Sequence, residues 1–218
     1  MKKVLLLAAI AILVNGCALN VRTTGFLDPA AGKDAPPPGA SFAVLENAGA
    51  PNPIFDREVR VKIEILLARH GYRIADPDRA EYLLTFSYDM SAGLRIGTMT
   101  SYGPPQTQIV AVSDGKGGRT FRAITVPGTV TTTPTVTETF TRRLTLKAVD
   151  AGPLKAGGPE RVVWIGDTLS TETSSDLRYD IDYLLAAAFA WFGRDTGKQV
   201  TVPIRGDNPD VGALRGKK

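Results

Sequence analysis

Two residue types are nearly missing from this chain: it has one cysteine, Cys17, and one histidine, His70, in 218 residues. A single thiol excludes an internal disulfide, and one cysteine with one histidine cannot supply the ligands of a Cys/His zinc site. Any nucleophile that needs an imidazole base must use His70. Long apolar runs are missing too. Val4 to Val14 is an apolar stretch of eleven residues, short of the ~20 that a helix needs to span a bilayer. Basic residues are spread along the chain, with a small cluster at Arg215, Lys217 and Lys218. A nucleic-acid protein needs a basic stripe with interleaved aromatics, so no nucleic-acid partner is expected. What is present suits a folded domain: 43% hydrophobic and 22% charged residues exclude wholesale disorder.

The N-terminus carries the sharpest signal. Lys2 and Lys3 precede the apolar run, which ends at Asn15-Gly16-Cys17. A short basic segment, an apolar core and small residues at a processing point describe a secretory signal over residues 1–16. Val14-Asn15-Gly16-Cys17 resembles a bacterial lipobox, with Asn15 where a small residue is commoner. That resemblance implies that Cys17 carries a diacylglyceryl group and an N-acyl chain and begins the mature protein. Two or more chains make attachment durable, at about 0.8 kcal/mol per buried methylene. In the Gram-negative sorting scheme aspartate after the cysteine favours inner-membrane retention. Ala18 stands there instead, which points to the periplasmic face of the outer membrane. The only thiol would thus be consumed by lipid, leaving none to mispair after export.

Residues 17–40, with Pro36-Pro37-Pro38-Gly39 and several Gly and Ala residues, read as the lipidated cysteine and a flexible tether. A single domain is expected over 41–204, opening on a strand at Ser41–Glu46. Asn52 can cap a helix and Pro53 suits its first turn. Val59, Ile63, Leu66, Leu67 and His70 form its apolar stripe, and Gly71 ends it. Tyr82, Leu84, Phe86, Tyr88 and Met90 alternate with polar residues along a half-buried strand. Residues 91–138 are rich in Thr, Gly and Pro and read as an exposed β excursion. Within it, Gln108–Ser113 and Arg119–Val126 can pair around Asp114–Gly118, and Pro134 argues against a central strand. Phe140, Leu144, Leu146 and Ala148 share a strand face that Arg142 interrupts, and Glu160–Thr171 makes another strand. Thr173-Ser174-Ser175-Asp176 reads as a capping box before a final helix. Its stripe is Leu177, Ile181, Leu184, Leu185, Ala188, Phe189 and Phe192. A last strand is expected over Lys198–Ile204, then a loose tail over 205–218.

Two striped helices and several alternating strands imply an α+β fold, a largely antiparallel sheet with two amphipathic helices packed on one face. The order of lipobox, short strand, helix closing on Arg69-His70-Gly71-Tyr72, strand opening on Ala80-Glu81-Tyr82, then Val163-Trp164-Ile165-Gly166 before the last helix resembles the bacterial lipoproteins of unknown function grouped as DUF4136. The likeness covers roughly residues 41–193, with Glu81 where aspartate is commoner. It implies packing and turn signals and carries over no catalytic residues.

Chemistry has few candidates. His70 at a helix end needs only solvent and nearby carbonyls. Ser113 lies in Ala111-Val112-Ser113-Asp114-Gly115, which lacks the first glycine and following helix of a nucleophile elbow. Asp76, Asp78 and Glu81 fit a turn better than an ordered metal loop. Asp176 and Asp180 complement a helix dipole. Gly115, Gly117 and Gly118 lack Walker spacing, and Arg205-Gly206-Asp207 sits in a short polar segment. No cofactor, metal or catalytic residue is expected. The residues favour a non-catalytic envelope module anchored at Cys17 with an envelope-protein partner. The alternative is a periplasmic hydrolase using carboxylates or a Ser-Lys pair, which requires a concavity where those groups converge.

Overall fold

A computed structural model of the chain describes residues 18–31, 36–47, 49–104, 106–113 and 119–216. The chain divides into two compact units, Ala92–Thr139 and the remainder on either side of it. The larger unit is mixed α and β, with a mostly antiparallel seven-stranded sheet and four helices. Its strands are β1 (Leu19–Leu27), β2 (Ser41–Val44), β3 (Arg73–Ile74), β4 from Tyr82, β7 ending at Asp150, β8 (Arg161–Glu172) and β9 (Val200–Ile204), in the order β3-β2-β4-β7-β8-β1-β9. β2 runs parallel to both β3 and β4. β7, β8, β1 and β9 pair antiparallel in succession. The helices are α1 (Pro53–Arg69), α2 (Ala151–Lys155), α3 (Leu177–Phe189) and α4 (Pro209–Leu214).

Two segments expected to be loose are parts of the core unit. Residues 19–27, assigned to a tether, form β1 between β8 and β9. Val21 and Thr23 face inward and are fully covered while Asn20 and Arg22 face solvent. β-branched residues at alternate positions suit that pleat, but the segment's few large apolar residues hid the pattern. Residues 205–218, assigned to a tail, contain α4, capped by Asn208 and burying Val211 and Leu214. An apolar stripe of two residues in six is too short to register as periodicity.

The two long helices start as their caps dictate. The Asn52 side chain accepts from the Phe55 N–H at 3.1 Å, with Pro53 where no N–H is needed. Gly71 takes a positive φ of 85° after α1. In α3 the cap is Asp176 itself, which accepts from the Tyr179 N–H at 2.9 Å, rather than a box opened by Thr173. α3 also departs from a single stripe, because every residue from Asp180 to Phe189 is buried. Strands β1, β8 and β9 lie against it, as do α1 and α4. The short Ala186-Ala187-Ala188 run allows that close approach.

One aromatic lock fixes the sheet to the chain beyond α3. Trp164 donates through Nε1 to the Arg194 carbonyl at 3.0 Å and packs on Phe192 at 4.7 Å between ring centroids. A Cβ on Gly166 would lie 2.2 Å from the Trp164 ring, and one on Gly25 would lie 2.4 Å from the Arg194 oxygen. Both glycines are therefore required by space.

The second unit is all β. β4 runs on to Tyr102, and β7 begins at Val130. Gly93 lies against Thr139, Gly97 against Thr135 and Gly103 against Thr129, an antiparallel progression. β5 (Gln106–Ser113) and β6 (Arg119–Val126) pair antiparallel from Gln106–Val126 to Ser113–Arg119. The turn expected at residues 114–118 lies outside the described residues. Pro134 does not interrupt β7. The Gly103 N–H bonds to the Thr129 carbonyl at 2.8 Å, so in a regular ladder Pro134, five residues on, turns its nitrogen to the free edge, where no donor is needed.

Gly166→Ala is expected to cost about 1–3 kcal/mol by overpacking the Trp164 ring, read as a lower urea midpoint with unchanged slope in tryptophan fluorescence. An unchanged midpoint would show that Trp164 repositions freely.

Candidate functional site

Cys17, the expected lipidation site, lies outside the described residues. Its neighbours Ala18 and Leu19 do not. With Glu172, Thr173, Ser174, Tyr179, Asp180 and Tyr183 they line a recess of about 280 Å³ at the start of α3. β1 enters the sheet at Leu19, and the loop after β8 and the first turns of α3 supply the rest of the wall.

Next to this recess lies a charged cluster that the sequence pattern barely signals. Arg142, the charge that interrupts the apolar face of β7, is fully buried. Its Nη2 lies 3.0 Å from Asp180 Oδ2 and also donates to the Ser174 carbonyl. The Asp180 contact is an ion pair without hydrogen-bond alignment, and Arg142 Nε and Nη1 have no partner among the described residues. Burial pushes the Asp180 carboxyl above its ordinary range. Arg142 opposes that push, and the charges of Asp176 and Glu172 add to it.

A second group ties three helices together. Lys62 Nζ on α1 lies 2.9 Å from Glu58 Oε1 and 2.8 Å from Asp182 Oδ1 on α3. Arg215, just beyond α4, donates from Nε to Asp182 Oδ2 at 3.0 Å and lies 4.1 Å over the Tyr179 ring. Burial disfavours the Arg215 charge, yet bonds to Asp182, Tyr179 and Tyr183 outweigh it and hold the guanidinium above its usual range. Glu58 is likewise penalised by burial but held below the usual carboxylate range by Arg178 and Lys62. Asp180 on its own reads as a first-turn acid and Arg215 as part of a terminal cluster. Only the packing of β7, α1, α3 and α4 gives each its partner.

Several other sequence candidates make contacts that hold turns and element ends together. His70 Nε2 lies 3.1 Å from Asp210 Oδ2, and Arg69 Nε donates to Asp210 Oδ1 at 2.8 Å, so both tie the end of α1 to the first turn of α4. His70 also borders a recess with Pro38, Tyr72, Phe189, Phe192 and Arg194. The Asp76 carbonyl accepts from the Arg79 and Ala80 N–H groups, closing a turn. Glu81 accepts from the Ser41 N–H at 2.7 Å and the Ser41 hydroxyl at 2.9 Å, which holds its carboxyl below the usual range. It clamps β2 to β4. The backbone of Ser113 pairs with Arg119 at the end of β5, and Gly115, Gly117 and Gly118 lie outside the described residues. Arg205-Gly206-Asp207 forms a turn closed by the Asn208 N–H on the Arg205 carbonyl. Among the described residues no group of three or more His, Cys, Asp or Glu side chains is placed to hold a metal ion.

No protein-family model matches this chain, and no curated protein does. Solved structures give distant likenesses. A variant PelC dodecamer from Paraburkholderia phytofirmans is 15% identical, with 80% of this chain and 98% of that chain covered, at a TM-score of 0.41. Another PelC dodecamer from the same organism is 14% identical, with 80% and 99% covered and a TM-score of 0.39. A PDZ domain protein from Parabacteroides distasonis is 12% identical, with 88% of this chain but 40% of that chain covered, at 0.40. At these identities and scores none of the three carries an argument about what this chain does.

Arg142→Met is expected to cost about 3–5 kcal/mol, because it strands a buried carboxylate, and Arg142→Met with Asp180→Leu should recover most of that loss. Equal losses in the single and double variants by urea denaturation would refute the pairing. Because the folded state holds the Asp180 proton more tightly, this group's contribution to stability falls as pH rises from its ordinary value of 3.8 through the raised one. Stability-versus-pH curves should lack that component in the double variant.

Proposed function

We propose that the protein is a non-catalytic lipoprotein, held through Cys17 at the periplasmic face of the outer membrane and serving as a binding or structural module of the cell envelope. The observation that carries this reading is the position of β1, which enters the interior of the sheet two residues after Cys17. Lipid on Cys17 would hold the folded unit on a leash of one residue, Ala18, with the start of α3 turned to the bilayer surface. The resemblance to the DUF4136 lipoproteins belongs to this reading.

In this reading α1 and α3 share one face of the sheet. Support comes from α1 packing on β2 and β3, α3 packing on β1, β8 and β9, and the two helices touching each other. The opposite face is then the one a partner would use. Its rows, matched by strand register, are Lys147-Ile165-Phe26, Thr145-Asp167-Thr24 and Arg143-Leu169-Arg22. Phe26 is 58% exposed there, and Arg143 forks onto Asp167 at 2.7 and 2.6 Å. A mixed apolar and charged surface of this kind suits a protein partner.

A second reading has one observation in its favour. Glu172 and Asp180 border the same recess, and the raised Asp180 carboxyl is the arrangement a general acid needs. A periplasmic hydrolase would lose its turnover of ester, amide or glycoside substrates on Asp180→Asn and on Glu172→Gln alike.

Mass spectrometry of the chain purified from envelopes should find residues 1–16 removed and Cys17 carrying acyl groups, and Cys17→Ser should move the protein to the soluble periplasmic fraction. An unmodified Cys17 thiol on a chain that keeps its leader would overturn the anchored reading.

A further inference from the structure

The second unit carries a surface that no contact within it explains. Counting alternate residues from the Gly97–Thr135 contact places Leu94, Ile96, Thr98, Thr100 and Tyr102 of β4 on one face with Val130, Thr132, Pro134 and Val136 of β7. The opposite face holds Arg95, Ser101, Met99, the glycines and five threonines, 131, 133, 135, 137 and 139. The first face thus carries most of the apolar side chains, with Thr98, Thr100 and Thr132 between them, and the second is polar except for Met99. Leu94 is 73% exposed, Ile96 78% and Tyr102 76%, with Val130 and Val136 exposed as well. The apolar row has no charge from Leu94 to Tyr102 or from Val136 to Val130, and Glu138 stands at its end opposite Leu94.

Two features point to what covers this row. Of the two 21-residue strands, the parts within this unit are 92–102 and 130–139, as long as the roughly 9–11 residues with which a tilted strand crosses the hydrocarbon layer. Leu94 and Ile96 alternating with Arg95 and Gly97, and Val136 flanked by Thr135 and Thr137, with Tyr102 and Val130 at the far end, resemble a barrel strand with lipid on one side and water on the other. Beyond Ser91 on β4 and before Phe140 on β7, the outer edges pair with no strand among the described residues. A free edge cannot stay in hydrocarbon, so entry requires closure. Two-stranded ribbons are also marginal alone.

We propose that residues 92–102 and 130–139 form a bilayer-inserting ribbon whose apolar row meets acyl chains, with copies of the chain pairing edge to edge to close the barrel. This rests on the reading of the chain as membrane-anchored through Cys17. Pro134 leaves one edge donor missing, so the seam between copies has one bond fewer at that level.

The test places single cysteines at Leu94, Ile96 and Val136, and at Arg95, Thr135 and Thr137, in the full chain. Each is labelled with an environment-sensitive fluorophore on vesicles of phosphatidylethanolamine and phosphatidylglycerol. The first three should shift to the blue and be quenched by spin-labelled lipid, and the second three should be quenched by aqueous iodide alone. Ile96→Arg should lower the inserted fraction roughly thirtyfold and Thr135→Arg by less than about threefold. Uniform iodide quenching overturns the proposal, as does shielding of the apolar positions from both quenchers, which would mean protein-to-protein packing. The chain without an added cysteine separates the two readings. If it takes up label, Cys17 is free and the anchor fails, and the same six positions in a Cys17→Ser background still decide insertion.

Discussion

The structure depends on the burial of α3. Ten consecutive residues, Asp180 to Phe189, are removed from solvent, so this helix needs partners on every side. The sheet supplies one wall through β1, β8 and β9, and α1 and α4 supply the rest. Because Asp180 and Asp182 are carried in with the apolar residues, the cations must follow them. Arg142 comes from β7, Lys62 from α1 and Arg215 from beyond α4. Taking two charges from water costs several kcal/mol per ion, and each pair serves to offset that cost rather than to add stability. The cluster thus sets which elements must close together for α3 to be covered.

That constraint bears on function through position. The recess at the start of α3 is walled by Ala18 and Leu19 at the entry to β1 and by Glu172, Thr173 and Ser174 at the end of β8. The buried Arg142–Asp180 pair therefore lies beside the point where β1 enters the sheet. The mixed face of the sheet and the apolar row of the ribbon are chemically different surfaces. The first joins Phe26 and Ile165 to Arg22, Arg143 and Lys147. The second is without charge from Leu94 to Tyr102 and from Val130 to Val136.

Much of the fold was legible in particular residues. The Asn52-Pro53 start and Gly71 end of α1 follow from capping and from the left-handed region that only glycine enters freely. The alternation of Tyr82, Leu84 and Phe86 marked β4, and Gln108–Ser113 opposite Arg119–Val126 emerged as β5 and β6. β1 and α4 are not legible in the sequence because Leu19–Leu27 and Pro209–Leu214 have too few large apolar residues to stand out. Their burial is a property of what they cover. Asp176 also acts as a cap in its own right, where the preceding serines and threonine suggested a box.

By itself the sequence determined the spacing of apolar residues, the caps and turns, the lone thiol at the end of an apolar run, and the alternation along the ribbon. These are local properties, set by neighbours within a few residues. Only the tertiary structure decided that α3 would be enclosed rather than striped, that Arg142 would meet Asp180 and Arg215 would meet Asp182, and that residues 19–27 would join the interior of a sheet. Those outcomes depend on elements far apart in the chain competing to cover the same apolar surface, and no local pattern records which of them succeeds.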